Sequence, residues 1–298
     1  MGLEVTSVTK KYSGKIAVEN LSFNMDKPGA FGLLGTNGAG KTTTIRMILG
    51  IIKKDEGKIL WNKKEVARKH VNFGYLPEER GIYPKTKVYE QLMYFAKLKG
   101  MNKQEADKSI KYWLKRLEVE EYAYMVAEKL SKGNQQKVQF ITSVMHNPEL
   151  IVLDEPFSGL DPVNTEILKE VIIELINKGK YIIMSSHQMS TIEQFCTDLI
   201  ILDKGKTILQ GNLNEIRDSY DANRLEIESC KNIDSIIKEA GLNVIFSKDN
   251  YYEIEICNHE EGYKLFELIA KSNIKLNKFE LKRPSLHDIF IEKVGASK

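Results

Sequence analysis

Polar and apolar residues alternate at the start of the chain, then give way to short continuous apolar runs. LEVTSVTKKY (3–12) and AVENLSFNM (17–25) carry the period of two that predicts half-buried strands, with a turn at Ser13-Gly14. Phe31, Leu33 and Leu34 predict a buried strand. A helix is expected from there to about Ile52, ended by Lys53, Lys54 and Gly57. GKILWN (57–62) and VNFGYLP (71–77) read as two further strands. From Tyr83 to Ala127 the period changes: Tyr89, Leu92, Met93, Phe95 and Ala96, then Ile110, Trp113, Leu114 and Leu117, recur at helical spacing. With the helical run Val138–Met145 they predict a helical insertion over about 83–145. Its lysines (Lys97, Lys99, Lys103, Lys108, Lys111, Lys115) read as a solvated face.

Beyond the insertion, Leu150–Leu153 and Tyr181–Met184 are uninterrupted apolar runs, the pattern of strands covered on both faces. Between them an amphipathic helix is expected, with Val163, Ile167, Leu168, Val171, Leu175 and Ile176 on one stripe. Leu199–Leu202 and Thr207–Leu209 form a predicted hairpin around Asp203-Lys204-Gly205-Lys206. At about Asp221 the pattern restarts: strand at 225–228, helix at 233–240, strand at 252–256, helix at 262–270, strand at 275–281, helix at 285–294. The expected organisation is an α/β domain over 1–220, strand-rich at its N-terminus and carrying the helical insertion, followed by a small α+β domain over 221–298.

Composition narrows the function classes. A net charge of +3, from 44 basic and 41 acidic residues with no dense basic tract, gives no reason to expect a nucleic-acid partner. Three scattered cysteines (Cys196, Cys230, Cys257) make no disulfide framework and favour a reducing compartment. No apolar run approaches the ~20 residues that cross a bilayer, and the first residues lack the apolar core of a signal peptide. Any membrane role is expected to run through a partner.

The chemistry concentrates at Gly35-Thr36-Asn37-Gly38-Ala39-Gly40-Lys41-Thr42, a full G-x-x-x-x-G-K-[ST] match between a predicted strand and a predicted helix. The glycines free the backbone to aim consecutive N–H groups at phosphate oxygens, and the helix adds its N-terminal dipole. Lys41 suits the β/γ-phosphates and Thr42 suits Mg²⁺, with Thr43 next in line. A plain Gly-rich turn would have no reason to place Lys-Thr after its last glycine. A bound nucleoside triphosphate is therefore expected.

Further candidates follow in order. Leu150–Asp154 delivers Asp154 to a strand end, where it suits Mg²⁺, and Glu155 suits the polarising of an attacking water. Ser131 reads as a helix N-cap and Gly133 as a point of close backbone approach. Tyr12 and His187, taken alone, read as a half-buried strand aromatic and a structural histidine.

Together these segments resemble the ATP-binding subunit of an ABC transporter, over roughly residues 2–220. The resemblance implies ATP and Mg²⁺ as cofactors, Gly35–Thr42 as the phosphate loop with Thr43 also binding nucleotide, and Tyr12 as the aromatic that stacks on adenine. It implies Glu155 as the catalytic carboxylate and His187 as the switch histidine, with Lys41 completing the catalytic set. Leu130–Gln136 looks like the signature whose Ser131 and Gly133 contact the nucleotide of a second copy, and Ser158–Pro162 resembles the loop that follows the catalytic carboxylate. Two positions depart from the pattern. Lys132 and Asn134 replace the usual third and fifth signature residues, and Glu78 stands where the family carries a glutamine. Glu78 joins Thr42 and Asp154 as an expected Mg²⁺ ligand.

Tyr75–Arg80, the Leu-Ser-Lys-Gly signature and the extra C-terminal domain look most like exporter ATPases of the sodium-extrusion and drug-export type. The implied partners are a separately encoded transmembrane permease and a second ATPase, identical or similar, that closes on ATP. The implied location is cytoplasmic, on the inner face of the cell membrane. A rival class is a regulator that signals through a membrane partner without moving cargo. Another, a soluble ATPase acting on ribosomes or DNA, would be expected to carry two ATPase modules or a long coiled-coil insertion, and neither is visible.

Overall fold

A computed structural model describes residues 2–66, 72–79, 81–220 and 222–295. Val71, Arg80 and Asp221, which belong to patterns used above, lie outside the described residues. Contacts divide the chain into two compact units, 1–210 and 211–298.

In the first unit, β1 (Leu3–Tyr12) and β2 (Lys15–Met25) form an antiparallel hairpin. β3 (Gly29–Gly35) leads into α1 (Lys41–Ile48). The helix stops earlier than the expected Ile52. Gly50 sits at φ 64°, and the Ile51 and Gly50 N–H groups donate to the Arg46 and Met47 carbonyls at 2.8 and 3.0 Å. That left-handed cap ends the helix. Gly57 belongs instead to β4 (Glu56–Trp61), which pairs with β1 and then with β5 (Lys64–Glu65). The resulting antiparallel sheet runs β2-β1-β4-β5.

β6 (Phe73–Leu76) precedes three helices, α2 (Val88–Leu98), α3 (Lys103–Arg116) and α4 (Lys132–Val144). Val88, Leu92 and Ala96 bury one face of α2; Ala106, Ile110, Trp113 and Leu114 bury one face of α3. A reciprocal Asn102–Glu105 capping box starts α3. Lys99 stays on the exposed face with its neighbours, but the end of its side chain turns inward. Its ammonium donates to the Phe73 carbonyl at 2.9 Å, and burial there lowers its pKa.

β7 (Leu150–Asp154), α5 (Pro162–Asn177), β8 (Tyr181–Ser186), α6 (Met189–Ile192), β9 (Asp198–Asp203) and most of β10 (Lys206–Asn212), which runs across the division at 210, complete the unit. The buried stripe of α5 is Leu168, Val171, Ile172 and Leu175, while Val163 is 70% exposed. Five residues before Leu168, Val163 sits roughly 140° around the helix from it, off the stripe. The second sheet runs β10-β9-β3-β8-β7-β6, with parallel pairing from β9 through β6. One core joins the two sheets. Leu3, Val5 and Phe23 from the antiparallel sheet meet Phe31, Leu33, Val152 and Ile183 from the parallel one, with Ile45 and Ile48 of α1 among them. Phe23 stacks on Phe31 at 4.5 Å between ring centroids.

The second unit begins at Gly211, before the residue 221 read from the pattern. α7 (Leu213–Asp218) belongs to it, and the Asp218 carboxylate pairs with Arg283. β11 (Arg224–Ser229), α8 (Asp234–Glu239), β12 (Asn243–Lys248), β13 (Tyr251–Glu255), α9 (His259–Lys271) and β14 (Leu276–Lys282) follow, then α10 (Leu286–Gly295). The sheet order β12-β13-β11-β14, antiparallel throughout, makes this a split βαβ unit. β12 is absent from the sequence reading because every one of its residues is exposed, so it carries no alternation of burial. Its hairpin to β13 turns through Asp249 and Asn250, at φ 50° and 64°.

Candidate active site

The parallel strands set the site, because each sends the chain out at the same edge of the sheet. β3 leads to the phosphate-loop sequence, β7 to Asp154-Glu155, β8 to Ser186-His187 and β6 to Pro77-Glu78. Gly40 precedes α1 at φ 107°, and a Cβ there would stand 2.6 Å from the Ala17 carbonyl. Only glycine holds that turn. Residues Thr36 through Thr43 then curl around a cavity of about 260 Å³, completed by Ala17, Glu78 and Glu155.

Lys41 is 7% exposed, and its ammonium donates to the Gly35 and Thr36 carbonyls at 2.7 and 3.3 Å. This buried cation sits 4.0 Å from Glu155 Oε1. Glu155 is itself 7% exposed and lies at φ 50°, a conformation that costs a side-chain-bearing residue of order 1–3 kcal/mol. Its backbone N–H donates to the Ser185 carbonyl and hydroxyl at 3.3 and 3.2 Å. Its other carboxylate oxygen, Oε2, stands 2.9 Å from His187 Nδ1. His187 keeps 54% of its side chain exposed, so it flanks the carboxylate from the open side.

Asp154 is 1% exposed. Parallel pairing sets it opposite Ser185, whose hydroxyl donates to Oδ1, while Oδ2 is buried without a partner. An orphaned carboxylate oxygen is expensive in a dry interior unless something positive or a water reaches it. Among the described residues no three His, Cys, Asp or Glu side chains cluster to hold a metal. A divalent ion here would take Thr42, Asp154 through water, and phosphate oxygens, the open coordination Mg²⁺ prefers. The donor set fits Mg-ATP.

The structure thus gathers Thr36 through Thr43, Glu155 and Glu78 at one cavity, with Asp154 and His187 hydrogen-bonded beside it. Gly35 contributes its carbonyl to Lys41 from just below. Tyr12 does not line the cavity. It ends β1, 47% exposed, with the Lys10 ammonium 5.2 Å from its ring centroid; Ala17 of the same hairpin is what reaches the cavity wall. Ser131 and Gly133 are not brought to the cavity of their own chain either. Ser131 caps α4 by accepting from the Asn134 N–H at 3.2 Å, and Gly133 packs beside Leu160 and Asn164. Sequence reasoning missed Ser185, although two serines directly after the apolar run Tyr181–Met184 were a signal for it.

Residues 18–158 match the ABC transporter family, and residues 211–294 match the C-terminal domain of DrrA1-3-like ATP-binding proteins. The chain is 47% identical to YhaQ of Bacillus subtilis (strain 168), an uncharacterized ABC transporter ATP-binding protein, over 99% of each. It is 29% identical to the linearmycin resistance ATP-binding protein LnrL of the same organism, over 98% of each. A solved ATP-binding subunit of an ABC transporter superposes with a TM-score of 0.68 at 31% identity, covering 74% of this chain and 93% of that one. Its sequence, its two-sheet fold and the match along its whole length place this chain in the family of ABC transporter ATP-binding subunits, ATPases that bind ATP and work with transmembrane partners.

Proposed function

We propose that this subunit powers export through a separately encoded permease by hydrolysing Mg-ATP at the cavity between the phosphate loop and Glu155. The observation that carries this reading is Glu155, buried and flanked by Lys41 and His187 on the wall of that cavity. Bound Mg²⁺ would supply charge neutralisation on the phosphates. Lys41 exchanges its two carbonyl partners for β/γ-phosphate oxygens. Glu155 takes the proton of the attacking water, and His187 holds that carboxylate in place. Thr42 and Asp154 would hold the metal, joined by Glu78, and Tyr12 would stack on the adenine.

Ser131 and Gly133 face a second copy, since they do not line the phosphate-loop cavity of their own chain. Two copies, or this chain and a similar one, then enclose ATP between the phosphate loop of one and the α4 start of the other. Among the described residues no helix is long and apolar enough to cross a membrane. In this reading the partner provides the cargo path and holds this subunit at the inner membrane face. The outward direction takes its support from LnrL, a relative named for linearmycin resistance.

The test is co-purification from detergent-solubilised membranes, identification of the permease, and transport in inverted vesicles. ATP-dependent accumulation of a cargo inside the vesicles, abolished by Glu155→Gln, supports export. Full hydrolysis with no movement of any cargo would favour the signalling class instead.

A further inference from the structure

We propose that Gln139 is a positioning residue for hydrolysis: its amide clamps the backbone on both sides of Glu78 and aims that carboxylate into the phosphate-loop cavity. Gln139 Nε2 donates to the Pro77 carbonyl at 3.1 Å and to the Glu79 carbonyl at 2.9 Å. The side chain is 2% exposed, and its oxygen is buried without a partner. Two carbonyl neighbours accept only from an NH₂ group, so the orientation of the amide follows from its contacts.

The segment needs such a clamp. Residues 77–79 belong to no helix or strand, so no ladder holds their backbone. Glu78 shares its cavity with Glu155, and two carboxylates at one site repel. Glu78 is exposed to solvent even as it lines the cavity, so burial does not hold its side chain and the clamped backbone must. The base of the clamp is rigid. α4 is fixed to β6 by His146, whose Nε2 lies 2.9 Å from the Phe73 carbonyl, and by the close approach of Gly74 to the Ser143 carbonyl. One turn before Gln139, Gln136 donates to the Pro156 carbonyl at 3.1 Å, just after Glu155. A single helix, headed by Ser131, therefore holds the backbone beside both cavity carboxylates. Movement of α4 displaces Glu78 and Glu155 together.

This inference rests on the reading that Glu78 serves at the metal, so the experiment examines both in one cycle. Full-length wild type, Gln139→Leu, Glu78→Ala and the double variant are compared, with Gln139→Met as the isosteric control for folding. Five quantities are measured: kcat, KM for Mg-ATP, half-saturating Mg²⁺, nucleotide affinity without metal, and Tm. We expect Gln139→Leu and Gln139→Met to lower kcat about tenfold and raise half-saturating Mg²⁺, with metal-free nucleotide affinity within about twofold of wild type. On the Glu78→Ala background the same substitution should change kcat less than about twofold, because contacts in one network are non-additive. Additive losses, a fall in nucleotide affinity that tracks a lowered Tm, or silent Gln139 variants beside an impaired Glu78→Ala would overturn the positioning role alone. A Glu78→Ala protein with wild-type kinetics and Mg²⁺ dependence would remove the metal reading, and the role of Gln139 with it.

Discussion

His187 Nδ1 stands 2.9 Å from Oε2 of Glu155, although the two residues follow different strands and Glu155 is almost wholly buried. The imidazole and the carboxylate are neighbours because β7 and β8 pair in parallel and release their chains at the same edge. That contact fixes the carboxylate on the cavity wall, and it makes the roles of the residues around it separable by mutation.

Glu155→Gln keeps the shape of the side chain and removes its basicity. It should bind ATP normally and lose ~10²–10⁴ in turnover, the usual cost of removing a positioned general base. Lys41→Ala should lose nucleotide affinity instead. Steady-state hydrolysis and equilibrium binding separate the two, and near-normal turnover in Glu155→Gln would refute the assignment. The same variant should double its mass by light scattering when Mg-ATP is added, if Ser131 and Gly133 serve a second copy.

Glu78 lines the cavity because β6 pairs with β7 in register, Leu76 opposite Leu153, so Glu78 leaves the sheet beside Asp154. Glu78→Gln should preserve ATP binding and shift the Mg²⁺ dependence of hydrolysis, since an amide oxygen still ligates. Glu78→Ala should slow hydrolysis in the isolated subunit. Superimposable Mg²⁺ titrations of wild type and both variants would move Glu78 from the metal to the surface that meets the permease.

Gly74 lies in β6 where a Cβ would collide with the Ser143 carbonyl of α4. Helix and strand backbones meet there with no room to spare. Gly74→Ala should destabilise the first unit by about 1–3 kcal/mol, as overpacking does. Thermal unfolding should shift down by several degrees, and an unchanged Tm would show that α4 can retreat freely from the strand.

His146 carries a pH signature. Burial, reinforced by the Lys99 ammonium, pushes its pKa from the usual 6.5 down to about 4. Its Nε2 meets the Phe73 carbonyl and its Nδ1 is buried without a partner, so the folded protein holds it neutral. Between about pH 6.5 and 4 the unfolded chain binds the extra proton, and stability falls as pH falls through that window. Acidification from pH 7 to 5 should cost on the order of 1–2 kcal/mol through this residue. His146→Gln retains a donor for Phe73 and cannot titrate, so its Tm should depend less on pH over that range. Parallel Tm–pH curves for the two proteins would show that another group governs the acid limb.

Contiguous chemistry was legible in the sequence by itself. The phosphate loop needs glycines, a lysine and a threonine in one unbroken octet, because a single turn of backbone must surround one ligand. The apolar runs of β7 and β8 announced strands covered on both faces, since only burial on both faces removes alternation. Alternation and helical spacing likewise marked most elements of the second unit. β12 was missed because an exposed edge strand has no buried side to encode, and α1 was read too long because its stop depends on Gly50 turning left-handed.

What the sequence could not supply was adjacency. The meeting of Ser185 with Asp154, the flanking of Glu155 by Lys41 and His187, and the grip of Gln139 on the carbonyls beside Glu78 join residues far apart in the chain. Each depends on strand order and register, which parallel pairing and the packing of α4 on β6 decide. A glutamine in mid-helix, 2% exposed, has no local signature that separates it from a surface glutamine. Its partners exist only once the helix lies against the sheet, and the hydrogen bonds it makes there are a property of the folded chain.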